Sequence, residues 1–358
     1  MNISNNNNTT TADSNISTGM STSDYCKDGV STPSDSICEV ASKSNNTLEV
    51  NDKLQNMSMA TDNIPVCANC GKEGSDVNNI CNKCKQVTYC NAACKKKHRH
   101  KHKKQCERRV AELHDKKIFK QPPPQLGDCP ICFLQMPLLN TGWRYYTCCG
   151  KRICSGCVHA PLYDNQGNKV KQEKCPFCRA PYPVKDENMK RIMKRVEMND
   201  PITIFNTGCD YQYGRNGYPQ DYTKALELWH RSAELGYAEA YSCIGYAYDF
   251  GEGVEVDKKK AKHYWELAAM GGDVEARYNL GNMERDAGNF NRAVKHHMIA
   301  AGSGDNDSLK IIQEFYSEGD ATKEDYMKAL QLYQEYLGEI KSIQRDEAAA
   351  FSERYRYY

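Results

Sequence analysis

The chain has 358 residues, a length that allows two or three domains. A hydrophobic content of 39% and a mean hydropathy of −0.78 exclude one large core spread over the whole length. Lys and Arg number 48 against 46 Asp and Glu, so a net charge of +2 is no global mark of a polyanion binder. No run approaches the ~18 consecutive apolar residues of a membrane span, and the start lacks the apolar stretch of a secretory signal.

Residues 1–63 read as a disordered tail. Within the first 60 there are 10 Asn, 11 Ser and 7 Thr, and Tyr25 is the only aromatic, so nothing offsets the entropy cost of ordering. Cys26 and Cys38 stand there without partners nearby. Residues 64–184 then hold 15 of the 19 cysteines. Five pairs are C-x-x-C: Cys67/Cys70, Cys81/Cys84, Cys129/Cys132, Cys154/Cys157 and Cys175/Cys178. Without a secretion signal, such pairs read as metal ligands rather than disulfides. The expected compartment is reducing, cytoplasm or nucleus.

Residues 64–106 carry Cys67, Cys70, Cys81, Cys84, Cys90, Cys94, His102 and Cys106. Eight thiolate and imidazole donors suffice for two tetrahedral Zn2+ ions. Cys90/Cys94 and His102/Cys106 are i,i+4 pairs, which on a helix share one face and can clamp one ion each. Val87-Thr88-Tyr89 reads as a short strand leading into that helix. The string resembles a MYND-type zinc finger. The resemblance implies interleaved ligands: Cys67, Cys70, Cys90 and Cys94 on one ion, Cys81, Cys84, His102 and Cys106 on the other. It also implies binding of short proline-containing peptides, although a Trp usual near Arg99 is absent here.

Lys95, Lys96, Lys97, Arg99, Lys101, Lys103 and Lys104 form a basic run between Cys94 and Cys106. It reads as the solvated face of the zinc helix, with a nuclear-import patch or phosphate contact as alternatives. No aromatic is interleaved for base stacking, so nucleic acid is not the expected partner. Residues 107–126 read as a basic, Pro-rich linker ending in Gln121-Pro122-Pro123-Pro124.

Residues 127–182 carry Cys129, Cys132, Cys148, Cys149, Cys154, Cys157, Cys175 and Cys178. The segments Cys129-Pro130-Ile131-Cys132 and Cys175-Pro176-Phe177-Cys178-Arg179 resemble the two ends of a RING-type finger. Lys151 stands where that family usually places a histidine ligand. The resemblance implies one quartet of Cys129, Cys132, Cys154 and Cys157. A second would use Cys149, Cys175 and Cys178, with Cys148 as the expected fourth ligand and His159 as the runner-up, giving one or two zinc ions. It further implies recruitment of a ubiquitin-charged E2 enzyme, with no nucleophile supplied by the finger. Ile131, Pro176 and Arg179 would be the contacts.

A linker helix is expected over 183–200, followed by repeats over 201–340. Gly208, Gly245 and Gly281 recur at 37 and 36 residues; Ala225, Ala261, Ala293 and Ala329 recur at 36, 32 and 36. Trp229 and Trp265 have His297 and Tyr333 in the matching places. A period near 36 predicts stacked helical hairpins, with the large rings filling the layer between neighbouring repeats and the small residues letting helices approach closely. The pattern resembles Sel1-like repeats, relatives of the tetratricopeptide repeat, in about four copies, and implies a protein-binding solenoid. Residues 341–358 read as a C-terminal tail.

The predicted fold is thus multidomain: a tail, two small zinc-stabilised fingers and an all-α solenoid, an order that resembles a group of algal proteins. Two functions fit. One is an E3 ubiquitin-ligase-like protein whose repeats and first finger select protein substrates. The other is a non-catalytic scaffold for protein–protein interaction, for which Lys151 is the motive. Chelation is expected to unfold 64–184 and to spare the repeats.

Overall fold

The computed structural model describes residues 64–358, apart from 123, 125, 163–169 and 171–173. The tail expected over 1–63, with Cys26 and Cys38, lies outside the described residues.

The first module pairs β1 (Asn79–Ile80) antiparallel with β2 (Thr88–Tyr89), Asn79 opposite Tyr89. Helix α1 (Ala92–Ile118) follows. Its N-cap is Asn91, whose side-chain oxygen accepts from the Cys94 N–H at 2.8 Å and satisfies one of the free amides of the first turn. The helix does not stop at the last zinc-ligand position. It runs on through residues expected to form a linker, because 107–118 contain no Gly or Pro to break it. The second module pairs β3 (Trp143–Tyr146) with β4 (Lys151–Cys154), and α2 (Ser155–His159) follows directly.

Helix α3 (Lys185–Glu197) leads into the array. Its hairpins are α4 (Pro201–Tyr213) with α5 (Tyr222–Glu234), α6 (Ala238–Phe250) with α7 (Lys258–Met270), α8 (Val274–Asp286) with α9 (Phe290–Ala301), and α10 (Asn306–Glu318) with α11 (Lys323–Ile340). Aspartates open many of these helices. The Asp221 carboxylate accepts from Lys224 N–H at 2.9 Å, and Asp273 from Ala276 N–H at 2.7 Å.

The repeating glycines have a steric reason. A Cβ on Gly208 would stand 2.7 Å from Trp229 Cδ1, and one on Gly245 would stand 2.6 Å from Trp265 Cδ1. At Gly281 it would meet His297 Nε2 at 2.5 Å. Each ring lies flat where a side chain is missing on the partner helix of the same hairpin. The tryptophans therefore fit the glycine of their own hairpin and also fill the seam to the next, Trp229 with Ala240 and Ile244, Trp265 with Ala276 and Leu280. Ala225, Ala261, Ala293 and Ala329 are fully buried. The fourth hairpin loses the pairing, and Tyr333 is only half-buried. Among the described residues no helix is long and apolar enough to cross a membrane.

The fingers are not beads on a string. The end of α1 plugs into the middle of the array. Ile118 is buried with Ala261, Trp265 and Leu280. The Arg277 guanidinium donates to the Ile118 carbonyl and, at 2.9 Å, to that of Ala269. Asp115 pairs with Arg292, which also reaches Glu284 at 3.1 Å. The second module meets the array at both ends. At the start, Tyr145 OH donates to Asp200 at 2.8 Å, Arg195 donates to the Thr147 carbonyl, and Arg152 lies between the rings of Trp143 and Tyr237. At the far end, Tyr336 OH accepts from Leu138 N–H at 2.7 Å.

The expected C-terminal tail is also ordered. Ser342 caps a helix, α12 (Ile343–Phe351), which packs against α2, and Tyr357 is buried beside Tyr336 and Ile340. One finger thus touches helices at the two ends of the array, so the array curves around to hold it.

Two outcomes are expected. Gly245→Ala should lower the melting temperature, because overpacking costs about 1–3 kcal/mol and outweighs the roughly 1 kcal/mol gain in helix propensity. Thermal unfolding of the variant beside wild type measures it. The second concerns His296 and His297, both buried, His296 against the Phe119 ring at 4.8 Å and His297 bonded to Ser308 at 3.0 Å. Burial holds each down to about 3. The unfolded chain takes up these protons near pH 6.5, the folded chain only near 3. Stability is therefore full above 6.5 and falls as the pH drops toward 3, by roughly 2 kcal/mol per histidine at pH 5. His297→Gln should flatten the dependence of melting temperature on pH between 7 and 5.

Candidate metal centres

Four donor clusters form, each with its ligand atoms within 4.8 Å of one another: Cys67, Cys70, Cys90, Cys94; Cys81, Cys84, His102, Cys106; Cys129, Cys132, Cys154, Cys157; and Cys148, Cys149, Cys175, Cys178. Two cross-braced pairs result, since within each finger the ligands of one cluster alternate along the chain with those of the other.

The local backbone explains how. In four of the five C-x-x-C pairs the chain turns and folds back on the first cysteine, whereas Cys154 and Cys157 span the start of α2. Phe133 N–H donates to the Cys129 carbonyl at 2.8 Å, and Arg179 N–H to the Cys175 carbonyl at 3.0 Å. The residue after the second cysteine takes a left-handed conformation at Gly71, Lys85, Phe133 and Arg179 alike. Short bridges, Val66 to Glu73, Asp128 to Gln135 and Lys174 to Pro181, close the base of three such turns. His102 and Cys106 do share one face of α1. Cys90 lies ahead of the helix, so the Cys90/Cys94 pair is formed by the capping turn at Asn91 rather than by two helical positions.

The spacing of donors tests the fit to a metal. A tetrahedral zinc with Zn–S bonds of ~2.3 Å sets its sulfurs roughly 3.8 Å apart, whereas a disulfide needs ~2.05 Å. Cys70 and Cys90 are 3.7 Å apart, Cys81 and Cys106 3.7 Å, Cys132 and Cys154 3.7 Å, and Cys149 and Cys175 3.9 Å. His102 turns Nε2 toward Cys84 at 3.3 Å. Without a cation such thiols crowd one another: hydrogen bonds from neighbouring sulfurs hold Cys129 far below the usual thiol range and Cys157 far above it. All four donor sets fit zinc.

Cys148 completes the fourth cluster, 3.5 Å from Cys178. His159 does not reach it. It is buried elsewhere, with the rings of Phe351 and Tyr355 at 5.1 and 5.6 Å. Lys151 is exposed on β4 and belongs to no cluster. Of the three candidate contact residues, Ile131 and Arg179 are exposed, Ile131 at 36%. Pro176 is buried, so it supports its loop from inside, and Phe177 beside it is the exposed group at 41%. No spacing signal singles out Phe177, since in the turns at Cys67 and Cys81 both middle residues are exposed. The basic run on α1 is exposed at Lys96, Lys97, Arg99, Lys101, Lys103 and Lys104. Lys95 instead folds back to the Ile80 carbonyl at 2.8 Å.

The chain thus combines small cysteine-braced fingers with a helical-hairpin array. Comparison with known families gives the modules names. Residues 67–106 match the MYND finger, and residues 202–237, 238–273 and 314–335 match the Sel1 repeat. The chain carries a MYND finger and Sel1 repeats. The hairpin α8–α9 lies between the matched repeats. It keeps the glycine-against-ring contact, with a histidine for the tryptophan and a shorter turn. A component of an ERAD-associated E3 ubiquitin-protein ligase, HRD3B of Arabidopsis thaliana, is 31% identical over 114 residues, 31% of this chain and 17% of that protein. The E3 ubiquitin-protein ligase DA2 of Arabidopsis thaliana is 39% identical over 66 residues, 18% of this chain and 15% of that protein. The chain therefore spans less than a fifth of the length of either relative. A Sel1 repeat protein from Oxalobacter formigenes is similar in structure, at 24% identity and a TM-score of 0.39, over 51% of this chain and 71% of that one.

Chelation should do more than release the fingers. Structural zinc contributes about 10–16 kcal/mol apparent in small fingers, and here the fingers also brace the array. Strong chelation is expected to leave the repeats helical but to lower their melting temperature, followed by circular dichroism. An unchanged repeat transition would mean that the docking contacts contribute no stability.

Proposed function

We propose that the chain holds four zinc ions and acts as an E3 ubiquitin-ligase-like protein. In this reading the second finger is RING-type and engages a ubiquitin-charged E2, while the MYND finger and Sel1 repeats bind protein substrates or partners. Zinc in these sites is structural: it ties distant loops together and offers no open coordination position. The rate gain would come from holding the thioester in a reactive orientation.

One observation carries the reading. Arg179 follows the last cysteine of the finger directly and stands exposed on a left-handed turn. A guanidinium there can donate to carbonyls of two proteins at once. The exposed apolar residues Ile131 and Phe177, one on each of two cysteine turns, give such a partner a dry contact. The ligase names of the two Arabidopsis relatives point the same way.

The test is single-turnover discharge of ubiquitin from a panel of E2 enzymes by the full chain. Arg179→Ala keeps the left-handed strain and removes the exposed side chain beyond Cβ with its guanidinium, so zinc content should not change. Hydrogen bonds to a charged group are worth roughly 1.5–3 kcal/mol, so discharge should fall roughly tenfold or more. A zinc-loaded wild type that speeds no E2 would leave the scaffold reading, for which the Sel1 repeats alone already argue.

A further inference from the structure

We propose that Arg345 is the buried counter-charge of the Cys129, Cys132, Cys154 and Cys157 centre, so that metal binding there and docking of α12 depend on each other. This rests on the zinc reading of that quartet and is independent of ubiquitin transfer.

Arg345 is fully buried, at 0% exposure, on the first turn of α12. It donates to the Gln135 carbonyl at 2.8 Å, to that of Leu134 at 3.4 Å and to that of Ile340. Its Nη2 lies 3.9 Å from Cys132 Sγ. Its Nε is buried without a hydrogen-bond partner. Among the ion pairs of the described residues none includes Arg345. A buried charge without a counter-charge is too costly to persist.

The other deeply buried arginine shows what is missing. Arg277 donates to Ile118 and Ala269, carbonyls at the ends of α1 and α7. Each helix end carries about half a negative charge, so two of them match one guanidinium. Arg345 has only one such end, at Ile340 of α11. The remaining half must come from the cysteine cluster. Zn2+ with four thiolates carries a net charge of two minus, and an N–H group aimed at a ligand sulfur both spreads that charge and orients the ligand.

The contact is built for closeness. Gly156 lies between Cys154 and Cys157, and a Cβ there would stand 2.9 Å from Arg345 N and 3.0 Å from Arg345 Cγ. The missing side chain lets the start of α12 lie against the loop that carries two ligands. The same arginine grips Leu134 and Gln135, in the loop that follows Cys132. The C-terminal helix therefore holds both ligand pairs of one centre.

The test uses the full zinc-loaded chain exposed to a strong chelator, with isotope-coded alkylation and mass spectrometry to time the appearance of each cysteine. Arg345→Met keeps volume and removes charge; Arg345→Lys keeps charge and loses the fork. The Met variant should expose Cys129, Cys132, Cys154 and Cys157 roughly 10–100-fold faster than wild type, the usual loss when an outer partner of a metal ligand is removed. The lysine variant should recover part of that loss, and the MYND clusters should not change. Hydrogen exchange should show residues 343–351 opening when wild type loses its zinc. Unchanged timing in a folded Met variant would overturn the proposal. A lysine variant no better than Met would assign Arg345 to packing alone and overturn it too. If the Met variant does not fold, the lysine variant and the exchange measurement decide. Wild type with those four cysteines reactive at the outset would overturn the zinc reading of the quartet and this proposal with it.

Discussion

A finger of about 55 residues buries too little apolar surface to hold itself together without cross-links. The second finger meets that constraint twice. Inside, two four-sulfur clusters tie its loops, leaving Ile153, Val158, Met136 and Tyr146 as a small core. Outside, it is pressed between the first and last helices of the array. The polar contacts at the two ends differ in kind. Tyr145, Arg195 and Asp200 form a mutual network at the start, whereas at the far end carbonyls and one sulfur converge on Arg345.

This closure bears on where a protein partner would sit. A repeat array is often pictured as one open groove. Here part of the array is covered in cis: α7, α8 and α9 receive the end of α1, and the helices at both ends receive the second finger. Partner surfaces must be sought on what remains exposed. Met193 and Met198 at the end of α3 and Met327 on α11 are such places, as are Ile131, Phe133 and Phe177 on the finger itself. Exposed methionine adapts readily to different shapes. The basic face of α1 remains open as well, held by the cysteine–histidine clusters at one end and by Ile118 at the other.

Most of the local architecture was legible in the sequence, and the reasons are physical. Cysteine spacing reports on turns of fixed size, and the structure brings the eight donors from Cys67 to Cys106 and the eight from Cys129 to Cys178 into clusters of four. The Gly–Ala–Trp period reports on packing within one hairpin, so Gly208, Gly245 and Gly281 face rings. What stayed hidden was long-range. Small rotations between hairpins accumulate into curvature, and nothing in a single repeat states their sum. The meeting of Arg345 with Cys132, 213 residues apart, follows from that sum. For the same reason Ile118-Phe119 read as part of a linker rather than a plug, and 341–358 read as a tail. An apolar pair closing a strongly basic helix was the one available clue.

The four cysteine turns also separate structural need from something further. The position after the second cysteine is left-handed in all of them, and glycine fills it once, at Gly71. An L-residue in that conformation costs about 1 kcal/mol or more. Lys85, Phe133 and Arg179 accept that cost, and all three point to solvent, Phe133 with 77% of its surface exposed. None of these side chains adds to a buried core that would offset the strain. Glycine would serve each turn better if the fold alone were at stake. A side chain kept at such a place has its use outside the turn, in what approaches it, and two of the three stand on the finger read here as the E2-binding one.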